Sequence, residues 1–571
     1  MTDPADATDT GAVAYRRAVA LLDGLTAAGV DTIVASPGSR STPLVLAAAR
    51  CERFGLHVVA DERSAAFFAL GMARATGRPP VVIGTSGSAP AHWLPAAIEA
   101  CEDDQPLLLL SADRPPELLE CGANQATTQD RLFDAHARAH FPLPADAGEA
   151  HARELGRRAA AAALWPRPGP VHVNMAFREP LVAAQPEACD TWTPGSGALA
   201  LPARITPDLA AVAAVAARIG GRRGAILAGR LAPGDPAIAA ITGLARVLDC
   251  PVIADPLSGL RGGAGSETRV LCGADAFLRN PDAPVPDWLI RVGRPPVSRY
   301  VEQWAAGCPD TTLLAPHPAW ADPLRSATRV IMGDPAASRA GLAAAAERAG
   351  LKAAPWRALD ELERAAHAAR AAGELPCEAR LVEAVAAVAP SAAPVFVSNS
   401  LVVRDFDSFL GRRSAPLALY GNRGVSGIDG NLSTAAGIAA ASGKPTVAVL
   451  GDLALFHDLN ALALCRRYPL TLVVINNGGG AIFGQLPQAG LPEFERLWLT
   501  PPELDIARAA ALFGLGHVRV EPGTDPAAAL GAALESGKAV LLELVVDRGA
   551  SHAARCQWWA RCNGDAGAES A

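Results

Sequence analysis

Two consecutive apolar runs, PTVAVLGD (residues 445–452) and LTLVVINNGG (residues 470–479), decide the fold of this chain. Each run of Val, Ile and Leu indicates a strand buried on both faces, and residues 454–466 between them are predicted to form the crossover helix of a parallel pair. Asp452 and Asn477 then share one edge of the sheet. A carboxylate, an amide oxygen and a glycine-flanked carbonyl at this edge are ligands of the kind that Mg²⁺ takes. The spacing therefore predicts a metal-bound diphosphate site without a P-loop.

The composition is that of a globular protein. A chain of 571 residues suggests three or four domains, and the net charge of −7 argues against nucleic acid as a partner. The first ten residues contain no apolar segment, and no apolar stretch approaches the ~20 residues of a membrane span. Eleven scattered cysteines without a CxxC pair indicate neither a disulfide framework nor a zinc site. We expect a cytoplasmic protein without a membrane span.

Three blocks of alternating strand and helix signals predict an α/β protein with three doubly wound parallel-sheet domains. The predicted domains are residues 1–185, 203–350 and 374–571, separated by looser stretches at 185–202 and near 350–373. The predicted strands lie in DTIVASPG, LHVVADE, PVVIGTSG, QPLLLLSAD and GPVHVNM of the first block, in GAILAG, PVIAD, DWLIRVG and TTLLAP of the second, and in PVFVSN, PLALYGN, PTVAVLGD, LTLVVINN and AVLLELV of the third.

This arrangement resembles the thiamine diphosphate enzymes, in which a GD…NN pair holds the metal and the diphosphate. The resemblance covers essentially the whole chain and implies that Asp452, Asn477 and Gly479 bind Mg²⁺ or Mn²⁺. It implies a pyrimidine-binding first domain, a Rossmann-like central domain and a diphosphate-binding third domain. It also implies a homodimer or homotetramer with active sites at subunit interfaces. Leu453 departs from the usual glycine after GD, and taken alone GD…NN also fits two ordinary strand-end turns.

Glu62 follows the strand-like LHVVA and begins the helix-like stretch that ends at ARATG. In thiamine diphosphate enzymes this position belongs to the glutamate that hydrogen-bonds N1′ of the aminopyrimidine and so promotes loss of the C2 proton. A carboxylate at a helix N-terminus is also a common stabilising choice, so the position alone leaves both interpretations open. The turn GTSGS (residues 84–88) matches the turn that these enzymes set beside the cofactor. The resemblance therefore implies cofactor contacts for Glu62, Ser86 and Gly87.

Five further turns narrow the resemblance to one family. They are SPGSRSTPL (36–44), ADRPP (112–116), GANQ (122–125), NSLVVR (399–404) and NRGVSGIDG (422–430). Together they closely resemble the 2-succinyl-5-enolpyruvyl-6-hydroxy-3-cyclohexene-1-carboxylate synthases, which join 2-oxoglutarate to isochorismate with loss of CO₂ in menaquinone biosynthesis. A single arginine after a strand is usually a solvated surface group, whereas five matching turns, four of them with an arginine, together favour a functional explanation.

Both substrates of that family are dicarboxylates, which guanidinium groups bind through paired, planar hydrogen bonds. The resemblance implies that the substrate contacts on the 2-oxoglutarate side are Ser400, Arg404 and Arg423, with Asn399 as a further contact. On the isochorismate side they are Ser39, Arg40, Arg114, Asn124, Gln125 and Arg299. Catalytic roles fall to Glu62, Arg40, Gln125, Arg404 and Arg423. Ser298 stands where members of the family can carry lysine, so one anchoring charge is expected to be missing or replaced.

Three apolar residues match positions beside the cofactor in these enzymes. Ile428 corresponds to the bulky residue that wedges between the two cofactor rings, and Ile482 and Phe483 correspond to residues that line the reaction centre. An apolar wall would keep water away from the reacting atoms. In isolation, each of the three also fits an ordinary core or turn hydrophobe.

The activity implied is a decarboxylative 1,4-addition of 2-oxoglutarate to isochorismate. A different thiamine diphosphate carboligase or decarboxylase, of the acetolactate synthase type, would share Glu62, Asp452 and Asn477 and remains an alternative. A catalytically silent cofactor-binding subunit or a dinucleotide-binding protein is a second alternative. The retained Glu62 argues against the first of these two, and the lack of a GxGxxG after a strand argues against the other. We predict no cofactor in the central domain.

Overall fold

The structure is a computed structural model that describes residues 9–184, 203–263 and 267–564. The predicted linker at 185–202 lies outside the described residues. The chain forms two compact units. The first comprises the described residues within Met1–Ala203, Asn422–Gly443 and His457–Leu464, and the second comprises those within Arg204–Gly421, Lys444–Phe456 and Cys465–Ala571.

Three parallel six-stranded sheets confirm the predicted α/β fold class. The strands of the first are β1 (Thr32–Ala35), β2 (Gly55–Val58), β3 (Val81–Gly84), β4 (Leu107–Asp113), β5 (Ala139–Leu143) and β6 (Pro170–Ala176). Those of the second are β7 (Gly224–Ala228), β8 (Val252–Ala254), β9 (Val270–Leu271), β10 (Trp288–Val292), β11 (Thr311–Ala315) and β12 (Arg329–Met332). Those of the third are β13 (Pro394–Val397), β14 (Ala418–Tyr420), β15 (Thr446–Gly451), β16 (Leu470–Asn476), β17 (Gly516–Val520) and β18 (Val540–Val545). The orders are β2-β1-β3-β4-β6-β5, β12-β11-β10-β7-β8-β9 and β14-β13-β15-β16-β18-β17.

Helices connect most of the consecutive strands. They are α1 (Thr10–Ala27), α2 (Thr42–Ala49), α3 (Glu62–Thr76), α4 (Leu94–Glu102), α5 (Glu149–Leu164), α6 (Leu209–Ala217), α7 (Pro236–Leu248), α8 (Ala274–Phe277), α9 (Arg299–Ala306), α10 (Pro335–Arg348), α11 (Arg357–Ala371), α12 (Cys377–Val388), α13 (Leu401–Phe409), α14 (Asn431–Ser442), α15 (Asp452–His457), α16 (Leu462–Cys465), α17 (Ile506–Leu512), α18 (Pro526–Ser536) and α19 (Arg548–Cys562). No helix of the described ranges is long and apolar enough to cross a membrane.

In the first unit, four adjacent strands bring the predicted polar turns to one edge. Strands β2, β1, β3 and β4 are parallel neighbours, so the residues that follow them meet at their carboxyl ends. Glu62 follows β2, Arg40 follows β1, Ser86 follows β3 and Arg114 follows β4. The centres of β1, β3 and β4 are fully buried, which fixes their register and the direction of the turns that follow them, whereas the edge strand β2 is only partly buried.

Helices α3 and α14 of the first unit cross closely because each has a glycine at the crossing. A Cβ atom on Gly71 would lie 2.0 Å from the carbonyl oxygen of Thr434, and one on Gly437 would lie 1.9 Å from that of Phe68. No side chain fits at either position. Helix α14 is thereby docked on the helix that begins with Glu62.

The second unit contains the other two sheets, which share one buried apolar cluster. Trp304 and Trp356 stack within it with 6.3 Å between their ring centroids. In the third sheet, β13, β15 and β16 are parallel neighbours. Ser400, Asp452 and Asn477 therefore leave the same edge of that sheet.

The crossover helix predicted over residues 454–466 is not continuous. A 3₁₀ turn at Leu459–Ala461 separates α15 from α16. Asp458 lies at the break with φ −125°, and its buried carboxylate accepts hydrogen bonds from the amide (2.7 Å) and the hydroxyl (3.0 Å) of Ser433. These bonds hold Asp458 outside helical geometry. The apolar pattern of the segment gives no sign of them.

The stretch near 350–373 also differs from the prediction of a loose segment. It contains the 15-residue helix α11, and Trp356 and Leu359 at its start are buried in the core of the second unit. The alanine-rich and arginine-rich composition of this segment conceals an ordinary amphipathic helix.

Candidate active site

Asp452 lies at the carboxyl end of β15, and backbone donors hold its carboxylate. Its Oδ1 accepts a hydrogen bond from the amide of Leu453 at 2.7 Å, and its Oδ2 accepts one from the amide of Gly479 at 2.8 Å. The side chain is buried, and burial raises the pKa of the carboxyl group against the opposing effect of these amides. No cationic side chain in the part of the chain that the structure describes pairs with it. A buried carboxylate in this state is suited to a bound cation.

The two asparagines at the carboxyl end of β16, Asn476 and Asn477, have different environments. Asn476 donates from Nδ2 to Oε1 of Glu543 at 2.7 Å and so ties β16 to β18. The Oδ1 atom of Asn477 is buried and accepts no hydrogen bond from any described residue. A buried acceptor without a donor indicates a site for water or an ion. Asp452 and Asn477 together therefore fit a divalent cation.

Gly479 occupies a position that only glycine can take. Its φ is +118°, and a Cβ atom there would lie 2.1 Å from the carbonyl oxygen of Leu499. The close approach sets its amide against Asp452. The departure at Leu453 leaves this geometry intact, because Leu453 contributes its amide, which a residue of any type except proline possesses.

A cavity of about 510 Å³ in the second unit contains several of the predicted substrate residues. Arg299, Arg404 and Ile482 line it. Arg279 and Arg555, which the sequence analysis did not identify, line it as well. Asp275 is the only acidic residue among the lining side chains, and Arg555 is paired with Asp405 at 2.6 Å. The size and the excess positive charge fit a small anionic ligand.

Arg279 lies over two aromatic rings of this cavity. Its guanidinium carbon lies 3.5 Å from the ring centroid of Trp559 and 4.1 Å from that of Tyr300. Its Nε donates to the carbonyl oxygen of Asp275 at 3.1 Å. These two cation–π contacts and the hydrogen bond restrict the position of the guanidinium. No local pattern reveals this role, because both aromatic partners lie far from Arg279 in the sequence.

Ser298, at the position of the expected lysine, caps helix α9. Its hydroxyl accepts hydrogen bonds from the amides of Tyr300 (3.2 Å) and Val301 (3.4 Å). Burial alone would raise the pKa of the Asp275 carboxyl, but the charge of Arg279 and the hydroxyls of Ser298 and Ser408 bring it below its ordinary value. Arg279 thus lies beside the position where lysine is absent, with its guanidinium paired with Asp275 at 3.4 Å.

Ser400 and Arg404 occupy the first turn of α13. Ser400 has φ +67°, a strained value for a residue other than glycine, and such strain is concentrated at functional sites. Nη1 of Arg404 donates to the carbonyl oxygen of Ser400 at 2.5 Å. Asn399 is buried directly before them. Phe483 lies in the 3₁₀ turn Ala481–Gln485 with Ile482 but does not line the cavity.

The first unit brings together Arg40, Ser86 and Arg114. Nη1 of Arg114 donates to the hydroxyl of Ser86, and burial followed by the charge of Arg40 lowers the pKa of Arg114. Arg40 is buried and donates to the carbonyl oxygen of Phe177 at 3.0 Å and to Oε1 of Glu179 at 2.8 Å. The predicted isochorismate residues Ser39, Asn124 and Gln125 lie on exposed turns.

Gln129 fixes the turns that carry Ser86 and Arg114, although no sequence motif identifies it. Its side chain is buried, and its Oε1 accepts a hydrogen bond from the amide of Gly87 at 2.8 Å. Its Nε2 donates to the carbonyl oxygen of Ala112 (3.1 Å) and to Oδ1 of Asn174 (3.0 Å). Gly87 also lies against Gln125, whose Cα would be 3.5 Å from a Cβ on Gly87. The turns after β3 and β4 are therefore fixed to one another.

Glu62 is the first residue of α3, but it does not cap that helix. Asp61 is the N-cap, and its carboxylate accepts the amide of Ser64 at 2.8 Å. The carboxylate of Glu62 has no hydrogen-bond partner within the described ranges. Glu62 therefore does not cap α3, and as the acidic residue of its first turn it still fits the stabilising interpretation. Arg423 and Ile428, both half-buried, lie in the loop before α14 of the same unit.

Comparison with known proteins identifies the family. The chain matches the thiamine pyrophosphate enzyme N-terminal TPP binding domain over residues 16–137 and the corresponding C-terminal TPP binding domain over residues 406–544. A curated protein of Dechloromonas aromatica (strain RCB), named 2-succinyl-5-enolpyruvyl-6-hydroxy-3-cyclohexene-1-carboxylate synthase, is 40% identical over 545 residues, which cover 94% of this chain and 99% of that protein. The chain belongs to this synthase family.

Relatives from distant organisms agree with this assignment. Proteins of the same name from Halobacterium salinarum (strain ATCC 29341 / DSM 671 / R1) and Geobacillus kaustophilus (strain HTA426) are 38% and 39% identical and cover 94% and 88% of this chain, and 96% and 89% of their own lengths. The fold is shared more widely. Benzoylformate decarboxylase from Polynucleobacter necessarius superposes with a TM-score of 0.70 at 16% identity, covering 93% of this chain and 98% of that one.

Proposed function

We propose that this protein catalyses the decarboxylative 1,4-addition of 2-oxoglutarate to isochorismate. The products are 2-succinyl-5-enolpyruvyl-6-hydroxy-3-cyclohexene-1-carboxylate and CO₂, and the reaction is a step of menaquinone biosynthesis. Membership of the synthase family supports this activity. The structural observation that carries it is the cavity lined by four arginines and one acidic residue.

Thiamine diphosphate, when bound, supplies the electron-accepting thiazolium that the decarboxylation needs. Asp452, the side-chain oxygen of Asn477 and the carbonyl of Gly479 would hold Mg²⁺, or Mn²⁺, and the metal would hold the diphosphate. The buried Oδ1 of Asn477 without a donor supports this assignment more than any other atom of the site. The turn at Ser86 and Gly87 would accept the pyrimidine end.

Glu62 would hold and move the proton at N1′ of the aminopyrimidine. Its carboxylate is half-buried and the helix end is capped by Asp61, so it is available for this contact. A carboxylate positioned within hydrogen-bond reach of the proton that it transfers contributes about 10²- to 10⁴-fold to a rate.

The arginine-rich cavity would bind 2-oxoglutarate through both carboxylates. Arg404 with Ser400 would form one anchor. Arg299, which the resemblance assigned to the isochorismate side, lines the same cavity, and with Arg279 it would form the second anchor in place of the missing lysine charge. Pyruvate has only one carboxylate, so a second anchor would contribute nothing to an enzyme of the acetolactate synthase type. The cavity therefore favours the synthase over that alternative.

In the first unit, Ser39, Arg40, Arg114, Asn124 and Gln125 would bind isochorismate. Arg40 is at present paired with Glu179, whose side chain is 70% exposed, and a substrate carboxylate would take the place of that exposed partner. Ile428, Ile482 and Phe483 would exclude water from the reacting atoms.

We further propose a cytoplasmic homodimer as the smallest active assembly. In the enzymes that the chain resembles, the glutamate and the diphosphate site come from different subunits, and two copies are then required for one complete site. Sedimentation of the purified protein, with and without thiamine diphosphate, would measure its oligomeric state, and an activity assay at the same protein concentrations would accompany it. A monomer that retains full activity at all concentrations would contradict this proposal.

Product analysis tests the reaction itself. Purified protein with thiamine diphosphate, Mg²⁺, 2-oxoglutarate and isochorismate should yield one adduct, identified by mass spectrometry. This adduct should retain the enolpyruvyl group of isochorismate and gain the four carbons of 2-oxoglutarate that remain after CO₂ loss. Formation of succinic semialdehyde alone would contradict the proposed addition.

A further inference from the structure

Glu99 on α4 holds the loop of residues 422–430, which carries Arg423 and Ile428. Its Oε1 accepts a hydrogen bond from the amide of Gly424 at 2.7 Å, and its Oε2 accepts one from the amide of Val425 at 2.8 Å. The side chain of Glu99 is 2% exposed. A buried carboxylate therefore directs both of its oxygens at two consecutive amides of one loop, which is a strong, charge-assisted arrangement.

Arg74 on α3 completes this clamp. Its Nη2 donates to Oε1 of Glu99 at 2.7 Å, its Nε donates to Oδ1 of Asn422 at 3.1 Å, and its Nη1 pairs with Asp103. The buried cluster contains one guanidinium and two carboxylates, so the loop amides provide donors that the remaining negative charge needs. The loop is thus part of the charge compensation of the cluster.

The loop can approach α4 this closely only because residue 424 is glycine. A Cβ atom on Gly424 would lie 2.5 Å from the carbonyl oxygen of Glu99 and 3.1 Å from its Oε2. At its other end the loop leads into α14, which is docked on α3 through Gly71 and Gly437. Both ends of the loop are therefore fixed to the helix that begins with Glu62.

We propose that Glu99 and Arg74 are positioning residues, which hold the loop so that Arg423 meets a carboxylate of the 2-oxo acid and Ile428 meets the cofactor. This inference rests on the proposed function. Arg74 and Glu62 lie on one helix, about 18 Å apart along its axis, so the clamp also fixes the loop relative to the proposed proton-transferring carboxylate. Neither clamp residue touches substrate.

The test is Glu99→Gln in the full-length protein, with Glu102→Gln as the matched control on the exposed face of the same helix. Initial rates are measured against 2-oxoglutarate and against isochorismate, and hydrogen exchange is measured for the peptide that contains Gly424 and Val425. We expect the KM for 2-oxoglutarate to rise by about tenfold or more in Glu99→Gln, with a change in the KM for isochorismate of less than about threefold. Hydrogen exchange at the amides of Gly424 and Val425 should be faster in Glu99→Gln than in the wild type.

A purely structural role gives a different result. Loss of folded protein lowers the apparent kcat but leaves both KM values unchanged, and this outcome in Glu99→Gln would overturn the inference. Gly424→Ala gives a second route, because it displaces the loop without removing a buried charge, and it should raise the same KM. Thermal melting of each variant shows how much protein is folded.

The two proposals fail in distinguishable ways. A wild-type protein that does not consume isochorismate with 2-oxoglutarate would overturn the proposed function and, with it, the role of the clamp in that reaction. An active wild type whose exchange and KM values are unchanged by Glu99→Gln would overturn the inference and leave the proposed function standing.

Discussion

The amide of Gly479 donates a 2.8 Å hydrogen bond to Oδ2 of Asp452, although 27 positions separate the two residues. This bond joins the turns after β15 and β16 and brings the buried Oδ1 of Asn477 to the same edge. This hydrogen bond is the contact that accounts for the GD…NN spacing in the sequence. A charged oxygen and a neutral oxygen on one rigid edge are what a metal-held diphosphate requires.

Asp452→Asn should weaken binding of thiamine diphosphate in the presence of Mg²⁺ by more than about 100-fold. Groups that only support a metal ligand are worth about 10- to 100-fold in metal affinity, and Asp452 is proposed as a direct, charged ligand. Calorimetric titration measures this. Asp525→Asn, an exposed helix cap, is the control and should bind normally. Equal affinity for thiamine diphosphate in Asp452→Asn and Asp525→Asn would show that Asp452 does not contribute to the cofactor site.

Arg404→Met should raise the KM for 2-oxoglutarate by about 10- to 100-fold, because a hydrogen bond to a charged group contributes about 1.5–3 kcal/mol. The affinity for thiamine diphosphate should change little. Arg380→Met, an exposed arginine on α12, serves as the control in the same kinetic assay. A wild-type KM in Arg404→Met would show that this arginine does not anchor the 2-oxo acid.

Glycine-to-alanine substitutions at two helical positions should have opposite effects on thermal stability. Gly71→Ala forces a Cβ atom against the carbonyl oxygen of Thr434 and should destabilise the protein by about 1–3 kcal/mol or more. Gly243→Ala meets no atom within 4 Å on helix α7 and should stabilise by up to about 1 kcal/mol. Calorimetric melting compares the two. A Gly71→Ala variant that melts at or above the wild-type temperature would contradict the close helix crossing.

Acid should destabilise the first unit through His172. Burial, followed by the neighbouring charge of His140, lowers the pKa of His172 from 6.5 to about 3, against a small opposite effect of Asp134. Between these values the unfolded chain binds a proton that the folded protein does not bind, so stability falls as the pH falls below 6.5. At pH 5 the loss is about 2 kcal/mol.

The variant His172→Gln removes this proton uptake, so its melting temperature should fall less between pH 7.5 and pH 5 than that of the wild type. His151→Gln, on the exposed face of α5, should keep the wild-type pH dependence. Identical pH dependence in His172→Gln and the wild type would show that His172 does not remain neutral in the folded state.

The sequence predicts the central strands of each sheet well and the outermost strands poorly. The strands that the apolar pattern misses are β5, β9, β12 and β17, and all of them lie at the edge of a sheet. An edge strand needs fewer apolar residues: in β17, Val518 is 41% exposed and only Val520 is buried. The composition of β17 therefore resembles that of a loop.

The residues of the candidate site also fall into two groups, those that the sequence predicts and those that it does not. The sequence predicts Asp452, Asn477, Glu62 and Arg404 as candidates because each lies in or soon after a characteristic turn at the end of a strand. Arg279, Gln129 and Glu99 cannot be predicted in this way, because their contacts join segments that are distant in the chain and leave no local pattern. Long-range packing, which no spacing encodes, creates these roles.

The most direct measurement is the initial rate of isochorismate loss, followed by absorbance, with thiamine diphosphate, Mg²⁺ and either 2-oxoglutarate or pyruvate. Wild-type protein and the exposed control Glu52→Gln should consume isochorismate only with 2-oxoglutarate, and Glu62→Gln should be slower by at least about 100-fold while melting at the same temperature. Equal rates with pyruvate, or near-normal turnover by Glu62→Gln, would contradict the proposed synthase.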